Sequence, residues 1–99
     1  MKVRWSPLAI DRAAEAARFI AADDPSAAAR WVDELFLAVS KLERHSSLGK
    51  AVPELNRPPI RQIVYRSRRV IYRIGASALH ILTVRHTRRR FDPEEVGER

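Results

Sequence analysis

Polar and apolar side chains alternate from Lys2 to Ser6, which predicts a short strand. The spacing then changes. Ile10, Ala13, Ala17 and Ile20 recur at helical intervals, with Asp11, Glu15 and Arg18 opposite them. Ser6 followed by Pro7 predicts the start of this helix, since a Ser side chain accepts a backbone N–H at the N-cap and Pro tolerates the first helical position. The helix is expected to run to about Ala22, where Asp23-Asp24-Pro25 stops it and caps the next. A second helix is expected from Pro25 to about Arg44. Its apolar stripe is Ala28, Trp31, Val32, Leu35, Val39 and Leu42. Leu37 falls on the polar side of that helix, where a partner-facing role is one reading.

Periodicity is lost over 46–59, a stretch punctuated by Ser46, Ser47, Gly49, Pro53, Pro58 and Pro59. Three runs rich in Ile, Val and Tyr follow at about 60–66, 69–75 and 78–85. The connections Arg66–Arg69 and Gly75–Ala78 suit tight hairpins, so these strands are expected to be antiparallel. The order β-α-α-β-β-β predicts an α+β fold of one domain over 1–99. A helical hairpin (about 7–45) packs on an antiparallel sheet (60–86) after a loop (46–59), and a basic then acidic tail (87–99) ends the chain. The sheet is the only large surface on which the two apolar stripes can be buried.

Charge changes the picture more than composition does. Up to Glu54, basic and acidic residues cancel; beyond it stand eleven arginines against four carboxylates, which leaves the +7 of the whole chain. From Leu55 to Phe91 there is no Asp or Glu. An arginine-rich, acid-free stretch is suited to phosphate or carboxylate partners, because the guanidinium fork matches both. The absence of Cys excludes disulfides and thiolate metal sites. No apolar run reaches the roughly 20 residues of a bilayer span, and no secretory signal pattern opens the chain, so a cytoplasmic protein without membrane association is expected. Phosphate-loop, zinc-hydrolase and serine-hydrolase motifs are missing, as is a paired acidic cluster for a divalent ion, so no cofactor and no metal is expected.

Several segments, in order, resemble the RelE/ParE superfamily of type II toxin–antitoxin toxins. They are Val3-Arg4-Trp5-Ser6 before an Ala-rich helix, Asp24-Pro25-Ser26-Ala27-Ala28, Leu48-Gly49-Lys50, Arg61, Arg69-Val70-Ile71-Tyr72-Arg73-Ile74 and Ile81-Leu82-Thr83-Val84-Arg85-His86. The resemblance implies a growth-inhibiting toxin neutralised by a cognate antitoxin, whose extended, acidic segment wraps it. It also implies one of two targets. ParE-like members bind DNA gyrase, and RelE-like members cleave messenger RNA in the ribosome.

Metal-free RNA cleavage needs cations on the phosphorane, a proton acceptor and a proton donor. If the chain is an endoribonuclease, Arg61, Arg69, Arg73 and His86 are the candidate catalytic residues. His80 shares parity with His86, but six strand residues span roughly 20 Å, so the two cannot share one phosphate. The plainer reading of His86 is a core-edge residue on the helix-facing side with Leu82 and Val84. The RelE-like pattern of several lysines and a C-terminal tyrosine is absent: the loop has only Lys50, and no Tyr follows Tyr72. The first expectation is therefore a gyrase-directed toxin that recognises its target or another anion through Arg61, Arg66, Arg69, Arg85, Arg88, Arg89 and Arg90. A ribosome-dependent endoribonuclease is the alternative, and a non-toxic nucleic-acid-binding module is the second alternative.

Overall fold

The computed structural model describes residues 1–97; the last two positions of the expected tail, Glu98 and Arg99, lie outside the described residues. Strand β1 (Lys2–Trp5) leads into helices α1 (Pro7–Ala21) and α2 (Pro25–Ser40). Strands β2 (Lys50–Ala51), β3 (Ile60–Tyr65), β4 (Arg68–Ile74) and β5 (Ala78–His86) follow. The expected caps form: the Ser6 side chain accepts from Ala9 N–H at 3.0 Å and Asp24 from Ala27 N–H at 3.2 Å. Helix α2 ends four residues earlier than the pattern predicted, tightening into a 3-10 turn at Lys41–Glu43.

The five strands lie in the order β1-β5-β4-β3-β2. The three long C-terminal strands are antiparallel, as expected, and β1 adds to β5 in parallel, so the sheet is mixed. Both helices cover one face. Their core joins Ala9, Ala13 and Ala16 of α1 and Trp31, Leu35 and Val39 of α2 to Val70, Tyr72, Leu79, Ile81 and Val84 of the sheet. On α1 the buried row is rotated from the predicted one. Alanines at 9, 13 and 16 bring the helix close to the sheet, and Ile10 stays exposed.

The opposite face of the sheet is not bare. Val52 and Leu55 of the 46–59 segment, with Phe91 and Val96 of the tail, cover Ile60, Ile71 and Leu82 in a second, smaller core. The tail closes as a short 3-10 helix, Pro93–Val96, capped by the Asp92 side chain. A register shift places one extra β5 residue opposite β4 near Ile71/Tyr72: Tyr72 pairs with Ile81, whereas Ile71 pairs with Thr83. The extra residue is Leu82, and it switches the parity of the strand. Before it, Leu79 and Ile81 face the helices; after it, Val84 does. His80 and Leu82 therefore lie on the back face and His86 on the helix face. The expectation that His80, Leu82 and His86 share a face is corrected by this bulge.

Gly49 is required by close approach. A Cβ there would lie 2.5 Å from Tyr72 Oη and 2.6 Å from the Gln62 carbonyl. The Tyr72 hydroxyl accepts from Gly49 N–H at 2.9 Å and donates to the Ser46 carbonyl at 2.7 Å, which ties the loop to the central strand.

A candidate anion-binding groove

The arginines expected to share one basic platform are spread over several surfaces, and most are already engaged. Arg61 pairs with Tyr72 across the ladder, so it turns to the helix side, where it donates to the carbonyls of Gly49 at 2.9 Å and Ser47 at 3.4 Å. Arg66 heads the β3–β4 turn with φ 54° and pairs with Glu34 of α2 at 3.3 Å. Tyr65 also donates to Glu34, and this hydroxyl leads the causes that hold the Glu34 carboxyl below its ordinary range.

On the back face, Arg69 forks onto both oxygens of Glu54 at 2.7 and 3.0 Å, donates to Gln62 at 2.8 Å and lies over the Phe91 ring. The paired guanidinium holds the Glu54 carboxyl below its ordinary range. Arg85 meets Glu95 at 2.6 Å and the carbonyl of Arg90 at 2.6 Å. Glu95 also receives Arg12 of α1 at 2.7 and 3.0 Å and the Thr83 hydroxyl at 2.9 Å. Burial raises the Glu95 pKa, but donation from Arg85, Arg12 and Thr83 outweighs it and holds the carboxyl low. Strand β1 pairs only as far as Ile81, so Arg12 can reach the back face around the uncovered edge of β5.

The four candidate catalytic residues are not brought together. Arg69 and Arg73 lie on the back face, while Arg61 and His86 lie on the helix side, towards opposite ends of the central strand β4. Arg61 opposes Tyr72 and His86 opposes Arg68, four positions apart on β4, or about 13 Å along the strand. Two strand spacings separate them further.

A different set does converge. Where β4 begins and β5 ends, α1 and the sheet enclose a groove of about 460 Å³ lined by Ala16 and Phe19 of α1, Arg68, His86, Arg88 and Arg89, among others. The local backbone explains the convergence. Arg68 and His86 are ladder partners on the helix face. Thr87 N–H continues the hairpin to the Ser67 carbonyl at 2.8 Å, and the chain then turns as Arg89 N–H bonds the His86 carbonyl at 3.0 Å. The turn is fastened by the His86 side chain, whose Nδ1 accepts from Arg88 N–H at 3.0 Å. Accepting at Nδ1 places the proton of the neutral ring on Nε2. Partial burial, then the charges of Arg68, Arg88 and Arg89, hold the imidazole below its ordinary range. The bond at Nδ1 and the lowered pKa both favour the neutral ring.

Among the described residues, no carboxylate pairs with Arg68, Arg88 or Arg89. Burial and the neighbouring Arg89 also lower the Arg68 pKa, a mark of like charges held together. Arg88 and Arg89 belong to the expected anion-binding set. Arg68 and Phe19 do not, although both were detectable: Arg68 flanks the two-residue turn, and Phe19 is a large aromatic off the helix stripe. Among the described residues there is no group of three or more His, Asp or Glu that could hold a metal ion, and no helix is long and apolar enough to cross a membrane.

No curated protein sequence matches the chain. One solved structure, a chain of the chromosomal ParDE toxin–antitoxin system from P. aeruginosa, shares its fold with a TM-score of 0.73 at 17% identity, over 87% of this chain and 95% of that one. The family model for the ParE toxin of the type II toxin–antitoxin system, parDE, matches residues 3–91. The match takes in all but the first residue of β1, both helices, the other four strands and the arginine turn, and on that ground the chain belongs to the ParE toxin family.

Proposed function

We propose that this ParE-family toxin inhibits growth by binding DNA gyrase in the cytoplasm, and that it is not a nuclease. The observation that carries the reading is the separation of Arg61, Arg69 and Arg73 from His86. Three of these four side chains point away from the groove, and two of the arginines are bound to protein groups. A ribonuclease must hold cations and two proton carriers about a single phosphate. In the groove, the one histidine spends Nδ1 on a backbone amide. Glu15, at the rim, is held by Arg12 at 2.8 Å. The remaining groups suit recognition of an anion.

Family membership brings a cognate antitoxin as partner. Its extended segment has a surface suited to it on the other side of the molecule. Strand β2 pairs only with Arg61 and Gln62, so Ile63–Tyr65 of β3 offer an open edge beside exposed Leu48 and Val64. Leu48, Ile63 and Val64 line a second groove along this edge, where Lys41 and Lys50 supply charge for acidic side chains.

Induction of the toxin in cells without antitoxin tests the target. The expected result is accumulation of cleaved gyrase–DNA complexes and a DNA-damage response while messenger RNA stays intact. Ribosome-phased cuts in messenger RNA with undamaged DNA overturn the reading in favour of the endoribonuclease.

A further inference from the structure

We propose that the groove between α1 and the end of the β4–β5 hairpin binds single-stranded DNA, its guanidinium groups on the phosphodiester backbone and Phe19 under one unstacked base. The proposal rests on the gyrase reading only in choosing DNA over RNA; the chemistry of the groove is independent of it.

The first argument is the state of the cations. Arg85, which also lines the groove, is committed to Glu95, and away from the groove Arg69 is committed to Glu54, Arg66 to Glu34 and Arg61 to backbone carbonyls. Arg68, Arg88 and Arg89 have no such partner, yet the ladder and the turn hold them side by side. Gathering like charges costs free energy, and an anion in their midst offsets that cost.

The second argument is the neutral donor. His86 is tied at Nδ1, so Nε2–H is directed by the fold and is available to an uncharged or anionic oxygen. The third is Phe19. The residue is 77% exposed, the largest exposure of any large hydrophobic residue among those described, and it lines the same groove as the arginines. Cations that track a backbone, set beside an exposed aromatic face, are the combination by which single strands are bound without sequence preference. The volume of about 460 Å³ lies in the range of sites for small ligands, so a nucleotide unit fits better than a folded surface. An acidic peptide would satisfy the guanidinium groups but gives Phe19 no planar partner; it is one of the outcomes below.

The test uses the full chain and a fluorescent oligo-dT of about 10 nucleotides, within the usual single-strand site size, followed by anisotropy across a salt series. Binding is expected at low salt. The double variant Arg88→Gln/Arg89→Gln should lower the slope of log affinity against log salt by about 1.4, since each single-strand phosphate contact contributes about 0.7. Phe19→Ala should weaken binding about fivefold or more with the slope unchanged. Arg73→Gln, on the back face, should change neither quantity. All four substituted residues are exposed, and thermal melts verify folding. The proposal is overturned if the native chain fails to bind, if Arg73→Gln acts as strongly as the groove variants, if oligo-rU binds more tightly than oligo-dT, or if poly-glutamate binds with the same dependence on Phe19. Loss of oligonucleotide binding with gyrase cleavage complexes still forming removes this proposal alone. Oligonucleotide binding that follows the expected pattern, without gyrase complexes, supports it and removes the target reading alone.

Discussion

The back face of the sheet and the groove beside α1 each hold arginines, and they hold them in opposite ways. On the back face, Arg85 and Arg69 are largely buried and each meets a carboxylate at 2.7 Å or less. In the groove, Arg68, Arg88 and Arg89 surround His86, and the carboxylate on its lining, Glu15, is paired with Arg12 and with none of them. The difference teaches that net charge does not locate function in a basic protein. A paired guanidinium is a structural element whose removal exposes its partner; an unpaired one is a surface waiting for an anion. Substitutions on the back face should therefore destabilise the fold, and those in the groove should leave stability alone and alter recognition.

Glu95→Gln should have the largest effect. The Glu95 side chain is 6% exposed and that of Arg85 11%, and Arg12 and Thr83 converge on the same carboxylate. Removing the charge leaves two guanidinium groups poorly compensated and loosens the tail over the second core. Breaking a buried pair in this way costs about 3 kcal/mol. Urea unfolding measures it, and a loss under about 1 kcal/mol would mean the latch does not hold the tail. The same contacts predict an acid response. The folded pKa of Glu95, like that of Glu54, lies below its value of 4.5 in the unfolded chain. Their contribution is thus complete above pH 4.5 and is lost as pH falls through the folded pKa values. In Glu95→Gln that acid-sensitive loss should shrink.

Arg69→Met should cost less, about 1–2 kcal/mol. The aliphatic stem is retained and Glu54 is 41% exposed, so the orphaned carboxylate recovers water. Arg89→Gln, by contrast, should change unfolding free energy by no more than a few tenths of a kcal/mol, as surface substitutions do, and in the stabilising direction as repulsion is relieved. Growth inhibition by Arg89→Gln should nonetheless fall. If Arg89→Gln destabilised the chain as much as Arg69→Met, the two regions would not differ in kind.

How far this contrast was legible in the sequence depends on the range of the interactions involved. The helix starts at Ser6-Pro7 and Asp24-Pro25 are local, and both form where expected. The three strands and their hairpins follow from period and turn chemistry within a few residues. Which face each side chain takes does not. One extra residue at Leu82 reverses the parity of β5, and nothing in a run of Ile-Leu-Thr-Val announces it. The basic surplus was plain, but its division into paired and unpaired arginines rests on Glu34, Glu54 and Glu95, which lie 32, 15 and 10 positions from their partners. Long-range ion pairs of this kind leave no periodic signal. The tail itself, read as a charged extension, instead supplies Val96 and Glu95 to a core and a latch.

The smallest effect is also the sharpest probe of the comparison, because it measures charge in the groove without a binding partner. His86 lies below the ordinary histidine pKa of 6.5 through partial burial and then through Arg68, Arg88 and Arg89. Replacing Arg68 with Gln removes the foremost of those charges while the burial persists. The imidazole should then titrate at higher pH than in the native chain, though still below 6.5, as followed by NMR of its ring protons. Arg69→Gln alters the adjacent position on β4, but its side chain lies on the other face of the sheet against Glu54. It should leave the His86 titration in place. Equal shifts in both variants would show that the histidine responds to the net charge of the molecule, and the groove would lose its claim to be a separate electrostatic site.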